Sequence, residues 1–231
     1  MSNLSDIKHE IGRLSREDRG ALSSWLEDTT GEWPSGYRVE EARQQYADSA
    51  LRLMTEEEYL EFEDQAEMRH EYINGAVYAM SGASRAHNQI TFRLATGLSN
   101  RLRGGPCEVF LLDLKLKLEL GSDRIFYYPD VMVACRREEW SKAFIRKPTM
   151  VAEVLSPATQ HIDCREKLLN YSREQSIDEY LVLSQEERRA VIHRRGERWQ
   201  LESVAGADAI LELRSLGISV PLADIYEGVL A

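Results

Sequence analysis

The chain has 231 residues, a formal net charge of −10 and 43% hydrophobic residues, enough to bury one good core with room for an appendage. That charge argues against a general nucleic-acid coat. No apolar run reaches the length of a bilayer span or follows a charged start as in a signal peptide, so the expected location is cytoplasmic, with no membrane partner.

Residues 1–50 are predicted to form a separate helical appendage. Leu4, Ile7, Ile11 and Leu14 recur at three- and four-residue steps, and Ser15 opens a second helix with Asp18 three residues on and Leu22, Trp25 and Leu26 within it. Thr29-Thr30-Gly31 and Trp33-Pro34-Ser35-Gly36 end that helix. Two short amphipathic helices bury little alone, so they are expected to pack on the main domain, on a second copy, or on a protein partner. Residues 39–53 read as a further helix or a linker.

The main domain, residues 51–231, opens at Thr55, an N-cap followed by Glu56, Glu57 and Glu58. From 56 to 71, eight acids stand against Arg69 alone, a local balance of −7. Asn74-Gly75 between two short β-prone runs predicts a hairpin. Residues 84–103 form the longest helix candidate, with Ile90, Leu94, Leu98 and Leu102 on one stripe and Gly104-Gly105-Pro106 closing it. Two strands should follow. In the second, Leu112, Leu114, Leu116, Leu118 and Leu120 alternate with Asp113, Lys115, Lys117 and Glu119, the pattern of a strand with one buried face. Six bases against Glu108 and Asp113 make residues 85–117 locally positive at +4, so phosphate contact remains open on an acidic protein.

Tyr127-Tyr128-Pro129-Asp130 leads into the apolar run 131–134, and 150–155 is a second apolar, β-branched run, as strands buried on both faces are. Residues 162–174 then read as a helix with Leu168, Leu169 and Tyr171 inward, and 180–183 as a buried strand. The remainder reads as β-ribbon over 190–193, 199–204 and 210–213, with a terminal cap at 221–226. A basic cluster, Arg188, Arg189, His193, Arg194, Arg195 and Arg198, is expected to be a solvated face rather than a phosphate contact. Cys107, Cys135 and Cys164 are scattered and odd in number, so free buried thiols are expected rather than a disulfide framework or zinc knuckle.

The anomaly is Glu153, a carboxylate in the middle of an apolar strand. An ionised acid there is costly unless a metal, a cation or several donors meet it. If the strands of Asp130 and Glu153 pair, about 5 Å apart, both acids could reach one hard divalent cation, Mg²⁺ or Mn²⁺, which prefers oxygen ligands. A backbone donor, an arginine or an exposed strand end would satisfy Glu153 equally well.

The order helix, strand, strand with Asp, strand with Glu, helix, strand, together with Tyr128-Pro129-Asp130 and Ala152-Glu153-Val154-Leu155-Ser156-Pro157, resembles the PD-(D/E)XK, or restriction-endonuclease-like, superfamily. Within it the chain looks most like the Uma-two family. The likeness covers about residues 53–228 and includes Arg69-His70-Glu71-Tyr72-Ile73-Asn74-Gly75, His87-Asn88 and Lys167-Leu168 with Tyr171. The resemblance implies an α/β fold with a mixed sheet and a restriction-endonuclease-like core, carrying here a C-terminal β-ribbon and the N-terminal appendage. It also implies a metal-dependent phosphodiester hydrolase acting on DNA, with Asp130 and Glu153 as metal-binding acids and Mg²⁺ or Mn²⁺ as cofactor. The superfamily expects a lysine where this chain has Leu155. Lys167, on the following helix, is the candidate replacement, with Asp163 and Glu166 as competing partners and Lys115 and Lys117 as rivals. Glu71 matches a family glutamate and is a candidate outer ligand, or else a capping or hairpin-pairing acid. His87 reads as a structural histidine or a contact to phosphate or the site. Nucleases that cut both strands commonly pair two single-site subunits, so a homodimer or higher oligomer is expected. The second reading is a non-catalytic binding or assembly module on the same fold, joined to a partner through residues 1–50, which resemble the short helical segment of bacterial toxin–antitoxin components.

Overall fold

The computed structural model describes residues 53–80, 82–136, 140–155 and 163–230, the side chains of 163–165 excepted. The expected helices of residues 1–50 and the side chain of Cys164 lie outside these. Helix α1 (Glu56–Gln65) starts where Thr55 Oγ1 accepts the Glu58 N–H at 3.2 Å and the Glu58 carboxylate accepts the Thr55 N–H at 2.8 Å, satisfying two orphan donors reciprocally. Strands β1 (His70–Ile73) and β2 (Ala76–Ala79) close a hairpin through Asn74 and Gly75, whose φ of +50° and +100° suits these residue types. Helix α2 (Arg85–Leu102) is capped by Ser84, whose Oγ accepts the His87 N–H at 3.0 Å, and it buries Ile90, Leu94 and Leu98.

Strands β3 (Glu108–Leu111), β4 (Lys115–Leu120), β5 (Asp123–Tyr127), β6 (Val131–Ala134), β7 (Phe144–Ile145) and β8 (Met150–Leu155) come next. Helix α3 (Asp163–Arg173) crosses over to β9 (Glu179–Ser184), which runs parallel to β8. The chain ends in β10 (Arg189–Arg194), β11 (Leu201–Ala205), the hairpin β12 (Ile210–Leu213) and β13 (Ile218–Pro221), and helix α4 (Leu222–Tyr226). The central mixed sheet has the order β11-β10-β9-β8-β6-β3, and a second sheet has the order β2-β1-β5-β4-β7.

Alternation of side chains splits the central sheet between two cores. Val131, Val133, Ala152, Val154, Leu181 and Leu183 join Ile90, Leu94 and Leu98 of α2 and Leu222 and Ile225 of α4. Met132, Val151, Tyr180 and Val182 face the opposite way, onto Leu116, Leu118 and Tyr127 of the second sheet and Tyr171 of α3. With both faces covered, β6, β8 and β9 read as near-continuous apolar runs. No described helix is long and apolar enough to cross a membrane.

Several expectations are corrected. The leucine alternation of 112–120 is broken by a turn, with Leu112 at φ +26°. Its polar face is only partly solvated: Asp113 and Glu119 are exposed, but Lys115 and Lys117 are buried under α1, and Lys117 Nζ lies 2.6 Å from Glu56 and 3.3 Å from Glu119. Leu169 is exposed rather than inward. Residues 190–205 extend the central sheet instead of forming a separate ribbon, and β13 lies in a stretch that carried no strand expectation. Cys107 and Cys135 are not free thiols: the β3–β6 register, Glu108 opposite Ala134, sets them against each other and they are disulfide-bonded.

The basic cluster is only partly a solvated face: Arg189 and Arg198 are exposed, but Arg194 and Arg195 are held internally. Arg194 is buried against Glu179 at 2.9 Å, bonds Glu202, and donates to the Glu212 carbonyl at 2.8 Å; Arg195 donates to the Ile177 carbonyl at 3.0 Å. Removing one partner of a buried pair leaves the other charge uncompensated. An Arg194→Met protein is expected to lose about 3 kcal/mol of stability in urea denaturation, toward the lower end because Glu179 keeps the Arg214 and Ser215 amide donors.

Candidate active site

The register Val131 opposite Ala152 places Asp130, immediately before β6, directly across from Glu153 of β8. By alternation Glu153 points to the face of the central sheet that meets α3 and the second sheet, while the Asp130 carboxylate, at the strand end, meets the β8 backbone and α2. Asp130 occupies the strand end because Pro129 halts β5 pairing and turns the chain into β6. Its Oδ2 accepts the Val154 N–H at 2.7 Å and lies 3.1 Å from His87 Nε2. Glu153 is met from α3, where Lys167 and Tyr171 lie four residues apart on one helical face. Lys167 Nζ is 3.1 Å from Glu153 Oε1, and the Tyr171 hydroxyl donates to the same oxygen at 3.0 Å.

The second sheet supplies the remaining wall. Glu71 of β1 sits 2.9 Å from Lys167 Nζ through Oε1, which also accepts the Tyr128 N–H at 3.4 Å. The Lys167 ammonium thus lies between two carboxylates and 5.2 Å from the centre of the Tyr127 ring. Glu166 does not compete for it, since Glu166 accepts from the Tyr127 hydroxyl at 3.1 Å. Lys115 and Lys117 take no part: Lys115 lies over the Tyr128 ring on the α1 side of the second sheet, and Lys117 is held by Glu56 and Glu119.

Glu71, Asp130, Glu153 and Lys167 are therefore brought together, with Tyr171 and His87 added. The glutamate on β1 is a salt-bridge partner of Lys167 rather than a capping acid. His87 touches Asp130. The pairing of α2 with Asp130 was not legible in the sequence, because helical periodicity orients a residue on its own helix and says nothing about what lies across from it.

Electrostatics follows from this crowding. Burial pushes the Glu153 carboxyl up to about 7, and the neighbouring charges of Asp130 and Glu71 push the same way, against the pull of Lys167. Burial opposes the charge on Lys167, but Glu153 and Glu71 outweigh it and hold the ammonium well above its ordinary value. Burial likewise lowers His87, and the hydrogen bond and charge of Asp130 more than reverse this. Burial and Glu153 together raise the Tyr171 phenol, which stays a donor.

A carboxyl raised in the folded state contributes stability fully present below its ordinary 4.5 and lost as pH rises through about 7. At 1.36 kcal/mol for each pH unit the loss across that window is about 3 kcal/mol. In EDTA, the unfolding free energy of the protein should fall from pH 4.5 to 7.5 more steeply than that of Glu153→Gln, as checked by urea titrations at several pH values. Parallel pH curves for the two proteins would rule out an ionised, crowded Glu153.

Among the described residues no group of three or more His, Cys, Asp or Glu side chains is arranged to hold a metal. Asp130 and Glu153 nevertheless form a fitting pair for a smaller demand. Mg²⁺ is commonly held by one or two carboxylates, the rest of its shell being water and substrate phosphate. Among the described residues, Asp130 Oδ1 and Glu153 Oε2 take none of the contacts given above, which leaves one oxygen of each acid for an ion.

The Uma2 family, described as "Putative restriction endonuclease", matches residues 56–223. Two uncharacterized proteins of Synechocystis sp. strain PCC 6803 are 35% and 30% identical to the chain; the first match covers 76% of this chain and 92% of the relative, the second 74% and 98%. A crystal structure titled as a putative nuclease belonging to DUF820, from Anabaena variabilis, superposes with a TM-score of 0.62 at 17% identity, covering 75% of this chain and 97% of that one. At that identity the likeness establishes the fold, a mixed α/β restriction-endonuclease-like one.

Proposed function

The chain belongs to the Uma2 family, and from that premise we propose that it is a divalent-metal-dependent endonuclease hydrolysing phosphodiester bonds of DNA. The observation that carries this is Lys167 Nζ set 2.9 Å from Glu71 and 3.1 Å from Glu153, with Asp130 directly opposite Glu153. Two acids opposite each other on paired strands, with a cation beside one of them, suit the hydrolysis of a phosphodiester.

In this reading Asp130 and Glu153 hold Mg²⁺ or Mn²⁺. Such an ion polarises a phosphoryl oxygen and makes a bound water acidic. The chain does the rest. Tyr171 and Lys167 fix Glu153 Oε1, so Glu153 presents Oε2. Glu71 anchors the Lys167 ammonium and keeps it charged, ready to stabilise the negative charge that grows on the phosphate oxygens. Lys167 thus occupies the role that Leu155 cannot fill. The described residues form one such site, so a duplex cut through both strands at once calls for two chains acting together.

The test is incubation of end-labelled single- and double-stranded oligonucleotides with Mg²⁺ or Mn²⁺, and in parallel with EDTA. Shortened products with the cation and intact substrate with EDTA are expected. Intact substrates under every condition would contradict the proposal.

A further inference from the structure

We propose that His87 is a positioning residue, held by a ring of hydrogen bonds through Ser84 and Gln185, that occupies one oxygen of Asp130 and leaves the other for a ligand. The inference rests on the reading of Asp130 as a metal-holding acid.

The ring closes on itself. Starting from β8, the Val154 N–H donates to Asp130 Oδ2 at 2.7 Å, and His87 Nε2 lies 3.1 Å from the same oxygen. The His87 backbone N–H donates to Ser84 Oγ at 3.0 Å, and the Ser84 hydroxyl bonds Gln185 Oε1. The Gln185 amide then donates to the Leu155 carbonyl at 2.7 Å, one residue beyond Val154. Three separate segments are joined this way: the N-terminus of α2, the turn after β9 and the end of β8. Ser84 and Gln185 are 101 residues apart in the chain.

Two features separate this from a histidine that serves only packing. The imidazole and the Asp130 carboxyl are nearly buried, with 12% and 8% of their side-chain surfaces exposed. Within that setting His87 Nδ1 has no hydrogen-bond partner among the described residues, so the ring is oriented by its contact with Asp130. A carboxylate oxygen can only accept, so Nε2 donates to it. With Oδ2 taking both the Val154 amide and His87, the carboxyl cannot rotate about its bond without breaking one of them. Among the described residues, Oδ1 is therefore the oxygen left for a ligand. Groups of this kind behind a liganding side chain set its orientation and its affinity.

The experiment measures Mn²⁺ uptake by calorimetry, with no DNA present, on the parent chain and on His87→Ala, His87→Gln and Gln185→Ala. Thermal unfolding in EDTA is recorded alongside. His87→Ala is expected to weaken Mn²⁺ binding about 10- to 100-fold, the usual effect of losing such a partner. His87→Gln keeps an amide donor and should recover much of the loss, and Gln185→Ala should shift affinity in the same direction by less. Parent-like affinity in His87→Ala, or a His87→Gln protein as weak as His87→Ala at equal thermal stability, would overturn the inference while leaving the metal reading intact. A parent chain that takes up no Mn²⁺ overturns both.

Discussion

An Asp130→Asn protein is expected to show neither Mn²⁺ uptake nor cleavage above background, the largest effect of any single change in this chain. The substitution is nearly isosteric, and its carbonyl oxygen can still accept the Val154 N–H that Asp130 takes at 2.7 Å. What it removes is the charge. A hard divalent ion draws its affinity from anionic oxygens, and one of the two acids that can offer a free oxygen is then neutral. Folding should survive, because the Val154 and His87 donors keep an acceptor in the carbonyl oxygen of the substituted side chain. Asp130→Ala would reach the same loss of activity less cleanly, by also orphaning the Val154 amide and His87. Calorimetry with Mn²⁺ and a thermal melt in EDTA check both halves of the expectation. An Asp130→Asn chain that cuts DNA at an appreciable fraction of the parent rate would remove this residue from the site.

Lys167→Ala is expected to lower cleavage by about 100-fold or more, the scale of losing one group that stabilises transition-state charge. The effect on folding is larger than an exposed lysine would produce. Lys167 is mostly buried between Glu71 and Glu153, and stripping the cation from a buried cluster leaves two uncompensated carboxylates, at a cost of about 3–5 kcal/mol. Glu153, already raised by burial, should bind a proton more readily still. Metal binding should persist or tighten, because the site becomes more negative while both acids proposed to hold the metal remain. Lys167→Met, closer in volume, separates the lost charge from the lost packing. Lys115→Ala and Lys117→Ala serve as controls, since these lysines lie on the α1 side of the second sheet with Tyr128, Glu56 and Glu119. Should Lys167→Ala cut as fast as the parent while either control does not, the catalytic lysine is on β4.

Most residues of the proposed site stand out in the chain by local pattern. Glu153 interrupts an apolar strand, Asp130 follows a proline at a strand mouth, and Lys167 and Tyr171 share a helical face at a spacing of four. Local pattern names such residues before any contact is known. It does not reveal what covers a face. Lys115 and Lys117 alternate with leucines as solvent-facing residues do, yet α1 lies over them, and that depends on where a helix 50 residues earlier comes to rest. Long-range closure was equally hidden. Gln185 carries no periodic or compositional signal, and only the folded sheet brings it to Ser84 and Leu155. Cys107 and Cys135 are 28 residues apart and meet through the β3–β6 register, a relation that spacing alone does not encode. Arg194 and Arg195 look like surface charge in a run of bases, but their guanidinium groups bond carboxylates and carbonyls of neighbouring strands and turns.

The central claim is that Glu71, Asp130, Glu153 and Lys167 form one metal-dependent phosphodiesterase site. It is tested most directly by supercoiled plasmid incubated with Mg²⁺ or Mn²⁺ and either the parent chain or Asp130→Asn, purified side by side so that any contaminating nuclease is common to both. The account predicts nicked and linear DNA with the parent, nothing with Asp130→Asn, and nothing with the parent in EDTA. Supercoiled plasmid left intact by the parent with either cation, or cut equally by both proteins, would contradict it.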